Sequence, residues 1–237
     1  MRFSWFAARD LFVPYVSGGF GFFGPLVSAG DVIGHRVVKV GAAAQSRDAR
    51  DSVLARQRLS GSTPPMTYVM VDIEADGPIP GDYSMVCFGA VIVEPGLSRT
   101  FYATLRPISD AWVPEALAVS GFSREQTLAF PAPAEEMTRF RDWLNTECPK
   151  RRLFISDNNG FDWQFINWYF HHFLGGNPFG FSSSNLGSLY KGLVKDTFKN
   201  FKHLRKTKHT HNPVDDAMGN AEALLRMKQD LGLKMQT

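Results

Sequence analysis

The sequence has only two cysteines in 237 residues, Cys87 and Cys148, and neither belongs to a CxxC pair or a histidine-spaced set. That scarcity excludes a disulfide-stapled scaffold and a cysteine-based zinc module, and it is the pattern of a reduced, cytoplasmic protein with free thiols. Net charge is small too, at +3. The excess sits in residues 1–65, where eight Lys and Arg face four Asp for +4, leaving 18 basic and 19 acidic residues, −1, in the remainder. No nucleic-acid partner can be read from an imbalance confined to one end. There is no internal repeat. An unbroken membrane-spanning run is also missing, because the uncharged stretch from Leu11 to Gly30 is interrupted by Pro14, Pro25 and five glycines. These residues disfavour a helix at every turn, so no membrane partner is expected.

What is present is a 44% hydrophobic composition, ample for one globular core. Residues 1–65 read differently from residues 66–237, since Ala42 to Pro65 is rich in Arg, Ser, Ala and Gln and ends in Gly-Ser-Thr-Pro-Pro. Such a stretch is expected to be a disordered extension or linker. Two other readings stand beside it: a targeting segment led by Arg2 and Arg9, and a misassigned start with translation beginning at Met66.

Tyr68-Val69-Met70-Val71-Asp72-Ile73-Glu74 is an apolar, β-prone run that ends in two carboxylates two residues apart. In a strand, residues i and i+2 share a face, so Asp72 and Glu74 project together at the C-terminal end, where open α/β sheets place their sites. Two like charges at a core strand destabilise a fold unless something positive lies between them, and a divalent metal is the obvious candidate. Ser84 to Glu94 and Arg99 to Leu105 predict two more strands in an antiparallel meander. Helices are predicted around Pro114 to Val119 and Ala134 to Asn145, a short buried strand over Arg152 to Ser156, and a helix capped by Asn158 or Asn159 running to about Leu174. Phe173 to Ser188 reads as a loop, and Pro213 to about Leu231 as a final helix. Strands first, then strand and helices alternating, predict an α/β domain with a mixed sheet, its three-strand antiparallel meander extended by parallel strands and flanked by helices.

Helical spacing aligns Asp162 with Phe165, Ile166, Tyr169 and Phe173, so its carboxylate points into an apolar face and needs a partner, whether a metal, an arginine or a backbone amide. Asp157 reads as a turn residue. In His209-Thr-His-Asn-Pro-Val-Asp-Asp-Ala217, Pro213 suits the first helical position and Asn212 the cap. Periodicity puts Val214, Ala217, Met218, Ala221, Leu224 and Leu225 toward the core and neither Asp215 nor Asp216, so it cannot choose between them. Asp215 has a structural role open to it in a capping box. His211 stands just ahead of the helix, with an ordinary pKa of about 6.5 that suits general-base work.

Taken in order, Asp72-x-Glu74, Asn158-x-x-Phe161-Asp162 and His211-x-x-x-x-Asp216-Ala217 resemble the three motifs of the DEDDh superfamily of 3′-to-5′ exonucleases. The spacing of five from His to Asp selects Asp216. The resemblance covers Met66 to Lys234, includes Trp112 to Gly121, and is strongest to the small stand-alone bacterial exoribonuclease-like members. Asp157-Asn158 replaces the usual His-Asn before the second motif, and Asn212-Pro213 replaces the usual small residue after the histidine. The resemblance implies a ribonuclease-H-like fold and a two-metal mechanism. Asp72, Glu74, Asp162 and Asp216 would hold two Mg²⁺ or Mn²⁺ ions, and His211 would take the proton of the attacking water. It further implies single-stranded RNA or DNA 3′ ends as substrate, RNA ahead of DNA, nucleoside 5′-monophosphates as product, and a possible homodimer. The rivals are a DNA-trimming or proofreading-type exonuclease and a catalytically silent nucleic-acid-binding module.

For substrate contacts, Lys191, Lys195, Lys199, Lys202 and Lys206 fall on one stripe of a helical wheel whose other half holds Leu189, Leu193, Val194, Phe198, Phe201 and Leu204. The stripe is either a phosphate track or an ordinary solvated face. Base contacts are expected among Met85, Phe88, Asn158 and Phe161, with Trp163, Trp168 and Tyr169 as further aromatics.

Overall fold

The computed structural model describes residues 66–149 and 151–235; the readings of residues 1–65 lie outside the described residues. Five strands form one sheet: β1 (Met66–Ala75), β2 (Met85–Ile92), β3 (Thr100–Thr104), β4 (Arg151–Ser156) and β5 (Ser183–Asn185). Their spatial order is β3-β2-β1-β4-β5. The meander β1-β2-β3 is antiparallel, and β4 and β5 extend it in parallel on the far side of β1. Among the described residues six helices flank the sheet: α1 (Pro114–Val119), α2 (Arg124–Leu128), α3 (Pro133–Glu147), α4 (Asn159–Leu174), α5 (Leu186–Val194) and α6 (Pro213–Asp230). This is the expected mixed α/β architecture.

Alternation along β1 divides the core in two. Val69, Val71 and Ile73 join Met137, Phe140, Phe165 and Tyr169 of α3 and α4 on one face. Met70 points the other way, into a cluster with Leu186, Tyr190, Ala217 and Leu224 of α5 and α6. Because side chains repeat every two residues, Asp72 and Glu74 follow Met70 toward the α6 side. Asp72 pairs across the ladder with Gly89 of β2. A Cβ on Gly89 would lie 2.5 Å from the backbone of Pro213 and Val214, so only glycine lets the start of α6 rest against the strand opposite Asp72.

Several local features differ from the periodicity-based expectations. Helix α2 was not expected; Ser123 and Gln126 form a reciprocal capping box that starts it, a signal in side-chain chemistry rather than hydrophobic spacing. Strand β5 lies inside the stretch read as a loop, because Ser183–Asn185 carries no apolar pattern and pairs with β4 through its backbone. The amphipathic helix over residues 189–206 is not continuous: α5 ends where Lys195 adopts φ 55°, the left-handed region, and only a 3-10 turn at Lys202–Leu204 follows. Phe198, assigned to that helix's apolar half, is therefore in solvent. Asn158 precedes α4 without a side-chain capping bond, and Asn159 instead donates from Nδ2 to Ser183 Oγ at 2.9 Å. Asn212 does cap α6, accepting from the Val214 amide at 3.0 Å, but Asp215 closes no capping box and accepts from Thr210 Oγ1.

Candidate active site

Three carboxylates converge at the C-terminal end of β1. Single oxygens of Asp72, Glu74 and Asp216 lie within 4.8 Å of one another, close enough to share one cation. Asp216 was expected off the core face of α6 and is buried instead, one face of the helix running through Asp216, Asn220, Ala223 and Met227. Helix α6 packs on both β1 and β2, so more than half its circumference is covered and the apolar stripe alone understates its burial. Asp162 sits where helical spacing put it, buried beside Phe165, Ile166 and Tyr169.

Burial, then the charges of Asp162, Glu74, Asp216 and Asp157, push the Asp72 carboxyl well above the ordinary carboxylate range. Glu74 is raised to about 7, first by burial and then by Asp216. Burial also raises Asp162, with the neighbouring Ser156 hydroxyl and the Ile73 amide pulling it back. Ser156 lies near Asp162 but outside good hydrogen-bonding geometry, so Ser156 Oγ and Asp162 Oδ2 are both buried without a full hydrogen-bond partner. Asp76, two residues beyond Glu74 and just past the end of β1, shows the contrast: it too is buried, but Arg124 Nη1 donates to its Oδ2 at 2.9 Å and the Ser84 amide to its Oδ1. Among the described residues no arginine or lysine pairs with Asp72, Glu74 or Asp162. A cluster of acids that repel one another and lack cations fits hard divalent ions, and the orphaned Asp162 oxygen is a further free donor.

Asp216 is held differently. Arg205 Nη2 donates to its Oδ1 at 2.9 Å, His209 Nδ1 lies 2.7 Å from the same oxygen, and the Thr210 amide donates there at 3.2 Å. The His211 amide donates to Oδ2 at 3.0 Å. The carboxylate thus organises the loop that presents His211, whose backbone is left-handed at φ 62°. The His211 ring is half-exposed, with Nδ1 3.8 Å from Glu74 Oε1, and it meets the His209 ring edge-on at 4.3 Å. His209, His211 and Asp216 form a second set of converging donors.

Sequence reasoning missed Arg205, His209 and Gly89. The glycine had a signal, an interruption inside a β-branched strand; Arg205 had none, since only folding brings it to Asp216. Asp157 is more than a turn residue: its charge acts on Asp72 and Asp162, while Lys202, Arg205, His209 and Lys191 act on it. Of the predicted substrate contacts, Met85 and Phe88 are fully buried, Phe88 stacked on Phe101 and edge-on to Phe140, so neither has a face to offer a base. Phe161 is partly buried against Phe165, whereas Asn158, Lys202 and Lys206 are exposed. The Lys206 amide is tied to Glu222 at 2.7 Å, leaving its side chain in solvent.

Known proteins give the same picture. An exonuclease family model, RNase_T, matches residues 69–224. The chain is 41% identical over 130 residues to the 3′-5′ DNA exonuclease Cap18 of Escherichia coli, covering 53% of this chain and 68% of that protein. In fold it is similar to E. coli ExoI in a single-stranded DNA complex, with a TM-score of 0.56 at 16% identity over 70% of this chain; it spans only 41% of that chain. A 3′-exonuclease that recognises the 3′ end of a histone mRNA stem-loop gives a TM-score of 0.59 at 14% identity, covering 79% of this chain and 74% of that one. With the motif order, the acidic cluster and the family match in agreement, the chain belongs to the RNase_T exonuclease family, of the DEDDh 3′-to-5′ type.

Proposed function

We propose that this protein is a metal-dependent 3′-to-5′ exonuclease that removes nucleoside 5′-monophosphates from single-stranded 3′ ends. The observation that carries this reading is the convergence of Asp72, Glu74 and Asp216 without a cation on the first two, beside the orphaned oxygen of Asp162. These four carboxylates would hold two Mg²⁺ or Mn²⁺ ions, which when bound supply charge neutralisation for the phosphodiester and a more acidic attacking water. His211 stands at the open rim, where its ring can accept the proton that the water loses and pass it to solvent. The Asp216 carboxylate, through its bond to the His211 amide, sets the height of that ring over Glu74. A catalytically silent binding module has no use for the partly buried Asp72 and Glu74 beside the buried Asp162, acids that repel one another and each disfavour folding.

Resemblance alone put RNA first. The 41% identity to a DNA exonuclease supports the alternative, and we take single-stranded DNA as the first substrate to test, with RNA as the competitor. Matched end-labelled DNA and RNA strands, incubated with Mg²⁺, Mn²⁺ or chelator, should shorten from the 3′ end only when metal is present. Asp72→Asn should stop the reaction. Cutting that persists in chelator or in Asp72→Asn would overturn the metal assignment, and faster loss of the RNA would make RNA the preferred substrate.

A further inference from the structure

A completely exposed phenylalanine on an ordered turn calls for a reason, because burying such a ring on folding is worth roughly 1.5–3 kcal/mol. Phe198 is 97% exposed. Its turn is not frayed: α5 closes on the left-handed Lys195, the Asp196 side chain accepts from the Phe198 amide at 2.9 Å, and Asn200 Oδ1 accepts from the Lys202 amide at 3.1 Å. Phe201 and Leu204 then anchor the chain in the α5 and α6 side of the core. The ring is therefore held out in water by a fixed backbone.

Its surroundings are basic. Residues 191–208 carry seven Lys and Arg and a single acid, Asp196, while the rest of residues 66–237 holds 11 basic and 18 acidic residues, so the domain's positive charge is concentrated here. The same segment runs directly into the site, ending in Arg205 and His209 on Asp216. Phe198 and Arg205 are seven positions apart, so their Cα atoms lie at most about 25 Å from each other. Phe181 is also exposed, at 92%, but it lines a groove with Met66, Arg151 and Leu153 at the opposite, N-terminal ends of β1 and β4. Among the described residues only Phe198 combines an open aromatic face, excess positive charge and continuity with the catalytic loop.

We propose that Phe198 and the lysines flanking it, Lys195, Lys199 and Lys202, form a track for single-stranded nucleic acid on the 5′ side of the scissile end, with Phe198 stacking on an unpaired base. Stacking on an aromatic ring tolerates any base, and the lysines follow the phosphates without reading sequence. The track rests on the exonuclease reading for its direction, but its existence can be tested separately.

The full chain and its Phe198→Ala, Phe198→Leu and Phe198→Trp variants are compared on single-stranded oligothymidylates from about three to about twelve nucleotides long. Anisotropy of the longest labelled strand in chelator reads binding, and kcat/KM with Mn²⁺ reads cleavage. Phe198→Ala and Phe198→Leu should weaken binding of the long strand at least about fivefold, Phe198→Trp should not, and the cleavage deficit should widen with length. Equal losses at all lengths, no loss of binding, or leucine performing as well as tryptophan would overturn the track. A fall in melting temperature in Phe198→Ala would overturn it too, since the ring would then be serving the fold. If the wild type binds the strand but cuts none of the series, the exonuclease reading fails while the binding comparison still decides the track.

Discussion

Arg205 donates from Nη2 to Asp216 Oδ1 at 2.9 Å, and the pair is almost wholly out of solvent. Asp216 therefore has two duties, as a candidate ligand and as the post to which the 205–211 segment is fastened. Its neighbour Gly219 makes the pair possible, because a Cβ there would collide with the guanidinium of Arg205 and meet the Thr207 carbonyl oxygen at 2.8 Å.

Gly219→Ala consequently sets two effects against each other. Alanine in a helix interior gains about 1 kcal/mol over glycine, while overpacking against a buried side chain and a backbone oxygen costs typically 1–3 kcal/mol. The collision should prevail. Thermal melts should show a lower midpoint for Gly219→Ala, with activity falling further than stability because Arg205 is pushed off Asp216. A midpoint at or above wild type would mean that the segment yields freely.

Removing Arg205 itself leaves a buried carboxylate with only His209 and two amides. Arg205→Met should lower the stability of the metal-free protein by roughly 1–3 kcal/mol. Added Mn²⁺ should recover part of that loss, because a cation then replaces the one removed. Calorimetric scans with and without metal read both numbers. For the same reason Asp216→Asn tests folding as well as ligation, and Asp72→Asn is the cleaner inactive variant.

What the sequence makes legible depends on the range of the forces involved. Asp72 with Glu74, and Asp162 with its aromatic neighbours, were legible because strand and helix periods are local properties of a few consecutive residues. Asp216 could be chosen over Asp215 only by motif spacing, since the apolar stripe of α6 did not reveal that two strands cover more than one side of it. Arg205 and Gly89 act through contacts made across the fold, and Lys195 ended a helix through a backbone conformation that hydrophobic periodicity does not encode.

Gly89→Ala should be among the most damaging small substitutions. Backbone atoms of Pro213 and Val214 stand 2.5 Å from where the new methyl would be, and neither can move without lifting the start of α6 off β2. Since Asp216 rides on that first turn and Asp72 pairs with Gly89, the separation of the two carboxylates should grow. A loss of about 1–3 kcal/mol in stability is expected, accompanied by weaker Mn²⁺ binding in titration calorimetry. Unchanged metal affinity would show that α6 is not positioned by this contact.

The two histidines can be told apart by substitution. His211 adopts φ 62°, a region that asparagine tolerates better than alanine, so His211→Asn removes the base with little backbone strain. Turnover should fall about 10²–10⁴-fold, while the metal-induced rise in melting temperature is kept. His209→Gln leaves Arg205 on Asp216 and should reduce turnover less than tenfold, as an order of magnitude set by loss of one hydrogen bond. Reversed magnitudes in single-turnover assays would transfer the proton-accepting role to His209.

The final expectation concerns pH. Glu74 titrates at about 7 in the folded metal-free protein, and burial raises Asp72 and Asp162 in the same direction. Unfolded carboxyls titrate near 4, so between that value and about 7 the folded state holds protons that the unfolded state has released. Stability due to these groups is then fully present below about pH 4 and is lost as pH rises through the folded values. Glu74→Gln, which cannot ionise, should be more stable than wild type at pH 8 in chelator by roughly 1–3 kcal/mol, and the difference should shrink toward pH 5. Saturating Mn²⁺ should reverse the order at pH 8, because only the wild type has the full carboxylate set to bind it. Urea titrations of both proteins at the two pH values, with and without metal, give the four free energies needed for each. A Glu74→Gln variant less stable than wild type in chelator at pH 8 would show that this carboxylate supports the fold rather than straining it.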